Sequence, residues 1–423
     1  MTEPFERQQG LQAFLPPGLL GPVIQRRGET LERLIRLLDA PPHRRPELAG
    51  SEAFRDLGLA ELLLAQAAAA QPAHLLFSDE LARLAFAIAE PLRDQPWVSR
   101  ANDVKARACV LAGNSRRLAR ETDEADTMFR KAVFHLMGPP DCLERAFYCR
   151  HLALLREDQG QLDDAVGLLW RAAQIYRDNQ RRGEEGLCLT QLGFLFLEEE
   201  QVERALPPLA DARQALDPQA QAAAYIQASL GLAYCHAVKG EVEAGRRLVE
   251  SARPFQRGLP REVSRLIPTW WEGKVLALTG SSREALQLLD RARRGLLKAR
   301  DMYGAARASL DLGRVLAGLG RADCLERLAK ELGKAQPSSF GGIGVLFVFE
   351  FFADRVRNGT DVREAFLAAV SRLRCCRRAP VLVMGYWPLE MTRAAEQRGE
   401  FHPSLKPTAR DRMDAHYAAL IDS

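Results

Sequence analysis

The sequence predicts an all-α chain: an α-solenoid of about seven antiparallel helix pairs, with atypical capping helices at both ends. Three observations predict it. Small residues recur with a period of forty, apolar residues between them follow helical spacing, and the composition is that of an ordinary globular protein, 47% hydrophobic and 27% charged. At 423 residues the chain is long enough for several domains or for one elongated array.

The repeat is read from three positions per copy. The first copy has Gly113, Ala125 and Ala132. The next four have Ala153, Ala165 and Ala172; Gly193, Ala205 and Ala212; Ala233, Gly245 and Ala252; and Gly273, Ala285 and Ala292. The sixth has Gly313, Leu325 and Leu332, and the seventh Ala353, Ala365 and Arg372. The first position is thus Gly or Ala throughout. Seven residues after it, Gly160, Gly240, Gly280 and Gly320 stand where a helix would end and turn back. Leu162, Val166, Leu169 and Ala173 show the helical spacing that follows such a turn. Small residues at the first two positions let two helices of a pair lie close, at about 8–10 Å between axes. The third lets the second helix approach the next pair. Each pair then has apolar flanks that only neighbours can cover, so the pairs stack.

This spacing resembles the tetratricopeptide repeat, over about residues 103 to 373. Leu189, Leu192, Gly193, Phe196, Ala205, Leu209 and Ala212 match the whole pattern, as do Phe349, Phe352, Ala353, Val356, Ala365 and Ala369. Arg116 and Arg156 depart from it where Tyr is usual, and Glu272 where Leu is usual. The forty-residue period exceeds the usual 34. The resemblance implies a right-handed superhelix, and arrays of longer period are known in bacterial regulators and in cargo or polarity adaptors.

Four divisions are expected: a partly ordered N-terminal segment over 1–50, an atypical capping helix pair over 51–100, the array over 101–376, and a tail over 377–423 partly packed on the last repeat. Residues 1–50 are rich in Pro, Gly and Arg, with one short amphipathic piece, "ETLERLIRLLDA". In the cap, 51–70 reads as a helix by propensity, and Ser78 as the N-cap of a second helix over 78–92. A helix-turn-helix reader over 27–70 would lack a convincing basic recognition helix. In the tail, Val381 to Leu389 is expected to cover the apolar run "GGIGVLFVFEFF" at 341–352, which opens the seventh repeat. Uncovered, that run would be a docking or self-association surface at the C-terminal end. It is too short to cross a membrane, where about 20 apolar residues are needed. Arg372, Arg374, Arg377 and Arg378 read as a solvated helix end.

Net charge is +4, short of the clustering of a dedicated nucleic-acid binder, so neither a nucleic acid nor a membrane is expected as partner. The start lacks a basic region followed by an apolar one, which argues against a secretory signal and for a cytoplasmic chain. Eight scattered cysteines read as reduced thiols. No Walker loop, GxSxG, HExxH or kinase-like pattern occurs, and no metal or cofactor site is expected. His151 and His236 read as structural histidines, and Asp163–Asp164 and the glutamates at 198–200 as solvated turn residues. The chain is therefore expected not to be an enzyme.

What remains is a binding surface. The resemblance implies a concave face formed chiefly by the first helix of each pair. Transferred position by position, that face includes Asn114, Arg117, Arg150, Gln191, Phe194, Tyr234, Trp270, Trp271, Lys274, Asp311 and Arg314. Trp, Tyr and Arg are enriched at binding hot spots, and Arg clamps carboxylates bidentately. The mixture points to a protein or peptide with acidic and apolar side chains. Trp270 and Trp271 read equally well as packing residues, and Pro268 just before them suggests a kinked or late-starting helix. A second reading makes the chain a signalling or transcription regulator that senses a ligand or peptide.

Overall fold

The structure is a computed structural model. It describes residues 17–321 except 72, 73, 93–97, 120, 200, 260, 261, 300 and 301, together with Cys324, Leu328 and Glu364. The second-helix positions of the sixth copy, all three positions of the seventh, the run at 341–352, the arginine cluster and the tail lie outside the described residues.

Among the described residues every regular element is a helix. In chain order these are α1 (Pro17–Asp39), α2 (Arg45–Gly50), a 3-10 turn (Glu52–Phe54), α3 (Leu57–Ala70), α4 (Leu75–Ala89), α5 (Val98–Leu118), α6 (Thr122–His135), α7 (Leu143–Asp158) and α8 (Leu162–Asp178). Then follow α9 (Arg182–Glu198), α10 (Val202–Ala215), α11 (Ala222–Val238), α12 (Val242–Arg257), α13 (Glu262–Leu278), α14 (Ser282–Lys298) and α15 (Met302–Gly318). Two compact units divide the chain: Met1–Asp158 with Asp163–Arg181, and Gln159–Leu162 with Arg182–Ser423.

The first unit begins with the cap. Leu37, Ala49 and Phe54 join Leu59, Leu63, Leu64, Leu81, Leu84 and Ile88 in one buried cluster, so α1 and α2 cover the outer face of α3 and α4. Asp56 anchors the corner. Its side chain accepts from the amides of Gly58 at 2.8 Å and Leu59 at 3.3 Å, capping α3. Its other oxygen accepts from Thr30 Oγ1 at 2.9 Å and Arg33 Nη1 at 3.0 Å, tying α1 to that cap. Arg45 donates to the carbonyls of Leu38 and Ala40 and pairs with Glu80, closing the end of α1.

Two local expectations are corrected here. Residues 51–56 are a bend and a 3-10 turn, and the helix starts only at Leu57, behind the Asp56 cap. Ser78 is not an N-cap: α4 begins at Leu75, and Ser78 lies inside it, buried, donating to the carbonyl of Ala67 at 2.8 Å. A hydroxyl aimed at a neighbouring helix and one aimed at its own first turn look alike in sequence.

The register of small residues has a visible cause. The residue sixteen places after each first position is bulky and buried: Phe129, Leu169, Leu209, Val249 and Leu289. A Cβ added to Gly113 would stand 3.1 Å from the Phe129 ring, and one added to Gly273 2.9 Å from Leu289 Cγ. The bulky side chain of the second helix lies on the bare backbone of the first. The turn glycines at 160, 240, 280 and 320 all have positive φ, between +67° and +85°. At Gly240 the Glu241 amide donates to the His236 carbonyl at 2.9 Å and the Gly240 amide to that of Ala237 at 3.1 Å, a Schellman ending.

In the second unit α9, α11, α13 and α15 pack in sequence as one layer, and α10, α12 and α14 pair with them. Among the described residues six cysteines are free thiols; Cys109, Cys149, Cys188 and Cys235 are buried. Burial pushes the Cys109 thiol up to about 11 and that of Cys235 to about 12.

A candidate interaction surface

The candidate residues fall in both units, and each unit is described by itself. In the first, Asn114 is buried on α5. Its amide donates to Gln71 Oε1 at 2.8 Å, and its oxygen accepts from Arg117 Nε at 2.8 Å. Arg117 also pairs with Asp158 at 2.7 Å. Gln71 donates in turn to the Leu111 carbonyl and to Ser115, which donates to Ser78. The chain of bonds is a buried polar seam across α3, α4, α5 and α7, and Asn114 and Arg117 serve it. Arg150 is half-buried on α7, beside His151. His151 is wholly inside, its Nδ1–H donating to the Phe147 carbonyl at 2.8 Å. Burial, and next the Arg150 guanidinium, push its pKa down to about 3. It is a neutral packing histidine.

In the second unit the candidates converge. Phe194 on α9, Tyr234 on α11 and Trp271 on α13 meet edge to face, with centroids 4.9 Å apart for Phe194–Trp271 and 5.5 Å for Tyr234–Trp271. Phe194 reaches Trp271 across α11 beside Gly231, whose built Cβ would meet Leu209 at 3.1 Å and Phe194 Cζ at 3.4 Å. Asp311 on α15 accepts from Trp270 Nε1 at 2.8 Å and from Arg314 Nη1 at 3.2 Å, and lies 3.7 Å from Lys274 Nζ. Arg307 stands over the Trp270 ring at 5.3 Å. Gln191 is half-buried on α9, one turn before Phe194.

Depth is where the expectation needs correcting. Trp270 and Trp271 are each only 4% exposed, so they are packing residues between repeats rather than open walls. Asn114 and Asp311 are buried as well. Phe194, Tyr234, Lys274 and Arg314 are half-buried and form the part of the cluster that reaches solvent. Nor does α13 start late. It begins at Glu262 and runs through Pro268, which is buried in it.

The departures from the repeat pattern are ion pairs. Arg116 contacts Asp79, Glu121 and Glu124, and Arg156 contacts Asp126, so each spans helices where a Tyr would pack. Buried Glu272 accepts from Arg253 Nε at 2.9 Å and Nη2 at 2.7 Å. Sequence reasoning missed the Gln71–Asn114 seam and Asp79. A polar residue on an apolar helix face, such as Gln71 after "AQAAAA", was the available signal.

Among the described residues no helix is long and apolar enough to cross a membrane, and no group of three His, Cys, Asp or Glu side chains is placed to hold a metal ion.

The helix pairs, their positive-φ turns and their small-on-bulky packing define a tetratricopeptide-type α-solenoid. No protein-family model matches the chain, and no curated protein matches it. Solved structures do. A Rap protein complexed with Competence and Sporulation Factor is similar over 87% of this chain and 99% of its own, at 12% identity and a TM-score of 0.54. Aspartyl phosphate phosphatase F from Bacillus subtilis is similar over 85% of this chain and 80% of its own, at 13% identity and a TM-score of 0.48. A tetratricopeptide repeat protein from Parabacteroides merdae is similar over 69% of this chain and 98% of its own, at 13% identity and a TM-score of 0.42. At 12% identity the likeness to the Rap protein is one of fold.

Proposed function

We propose that the protein is a non-catalytic interaction scaffold that binds a partner protein or extended peptide along the first-helix layer of its second unit. One observation carries the reading. Phe194, Tyr234, Lys274 and Arg314 stand on four successive first helices, half-exposed, above a buried aromatic and carboxylate floor. Such residues offer contact area that is already ordered, so a partner meets little entropic cost in engaging them. Lys274 and Arg314 both contact the Asp311 carboxylate, and both carry a charged group to the half-exposed rim of the cluster. The two cations favour acidic side chains in the partner, and the aromatic edges favour apolar ones. The Rap protein named above was solved with Competence and Sporulation Factor, so one protein of this fold holds a partner factor. For this chain the reading stands on its own side chains.

The test is affinity purification from the native host with mass spectrometry, using the wild type and a Tyr234→Ala/Arg314→Ala variant. A partner recovered by the wild type should bind the variant at least ~10-fold more weakly, since hot-spot truncations cost about 1–2 kcal/mol each, with the far-UV spectrum unchanged. Equal recovery by both, or no partner with either, overturns the reading.

A further inference from the structure

The surroundings of Lys274 have a geometry that the peptide reading does not use. Its ammonium nitrogen lies 3.7 Å from the Trp271 ring centroid and 4.7 Å from that of Tyr234. These two rings stand at 88° to each other, forming a corner. Trp270 adds a third ring at 5.7 Å, and the Asp311 carboxylate stands 3.7 Å away.

The Asp311 carboxylate and the Trp271 ring are held by contacts other than Lys274. Trp270 Nε1–H and Arg314 hold the Asp311 carboxylate. Phe194 packs against Trp271 edge to face, with centroids 4.9 Å apart. A ring face carries negative potential, and a cation over it is stabilised by about 0.5–2 kcal/mol, more when water is excluded. Two perpendicular faces with a carboxylate alongside are what an ammonium group of any origin would select.

We propose that this corner is an ammonium-binding cage which the chain fills with its own Lys274, and that a quaternary or fully methylated ammonium group takes the same place. A lysine ammonium is compact and strongly hydrated, so it loses much solvation on entering. A quaternary ammonium loses less and presents methyl groups to all three rings. The Lys274 side chain is 12% exposed, so part of the resident cation's side chain reaches solvent. An incoming ammonium group takes the place when the flexible four-carbon stem of Lys274 swings outward. The inference is independent of the peptide reading: a cage of this kind can be present with or without a peptide partner along the layer.

The experiment uses the full chain and tetramethylammonium chloride as the probe, at ionic strength matched with sodium chloride. Tryptophan emission is followed for the wild type, Lys274→Ala, and Lys274→Ala/Trp271→Ala. A saturable change is expected in Lys274→Ala, at roughly tenfold lower probe concentration than in the wild type, corresponding to about 1.4 kcal/mol for displacing the resident cation. The added Trp271→Ala should abolish it, and the neutral isostere neopentane-type alcohol 2,2-dimethylpropanol should not reproduce it. No saturable change in a folded Lys274→Ala, or an equal response to the neutral alcohol, overturns the proposal. A wild-type measurement stands beside these in case the variant does not fold. Ring currents should shift the Lys274 ε-methylene protons upfield, and tetramethylammonium should return them toward ordinary values in a saturable way. An unchanged shift up to the solubility of the salt overturns the proposal equally.

Discussion

His151 shows how much one side chain can set. It is buried, it donates to the Phe147 carbonyl, and its pKa is pushed down to about 3. Unfolded, it would titrate near 6.5. Between those values the unfolded chain binds the extra proton, so stability is fully present above pH 6.5 and falls as the pH is lowered toward 3. The ceiling of that loss is about 4–5 kcal/mol, from about 1.36 kcal/mol per pKa unit. We expect Tm to drop steeply between pH 6.5 and 4, and His151→Gln to flatten the drop at some cost in Tm at pH 7. Parallel profiles for the two proteins would contradict this. Trp270 and Trp271 teach the complementary lesson. Their place on the first-helix layer was legible from the forty-residue register, because register sets direction. Their depth was not, because it is set by contacts such as Phe194–Trp271 and Trp270–Asp311, between residues far apart in the chain that no local pattern encodes.

Among the elements, the turns and the pair packing were the most legible. Gly160, Gly240, Gly280 and Gly320 recur in the sequence because a left-handed residue is needed at each turn, and only glycine takes that conformation without strain. Gly240 has φ +82° and open space around a built Cβ, so substitution there is a test of backbone strain alone. Gly240→Ala should cost about 1–2 kcal/mol, the penalty for an L-residue in that region, read as a fall in the denaturant midpoint at constant slope. A cost within error of zero would mean that the turn relaxes. The cap was less legible. Propensity pointed to a helix from 51, whereas Asp56 delays it to Leu57 by offering its carboxylate to the first free amides. The polar seam from Gln71 to Arg117 left only one hint, Gln71 on an apolar face, since its partners are about forty residues apart.

At the scale of the whole molecule, a repeat array is a sum of neighbour interfaces, and its ends must be covered. In the first unit α1 and α2 supply that cover: Leu37, Ala49 and Phe54 close over Leu59, Leu63 and Leu64. Removing residues 1–50 should expose those leucines and lower Tm. Truncated protein should elute as larger species on size exclusion, because an uncovered apolar end seeks another. A monomeric truncation with unchanged Tm would show that the cover is dispensable. The buried thiols carry a further consequence. Cys109 lies in the first unit and Cys235 in the second, both held protonated by burial and out of reach of reagents. An alkylating label can attack either only when its own unit opens. Labelling rates at these two sulfurs therefore act as two separate clocks, one timing the breathing of each half of the chain.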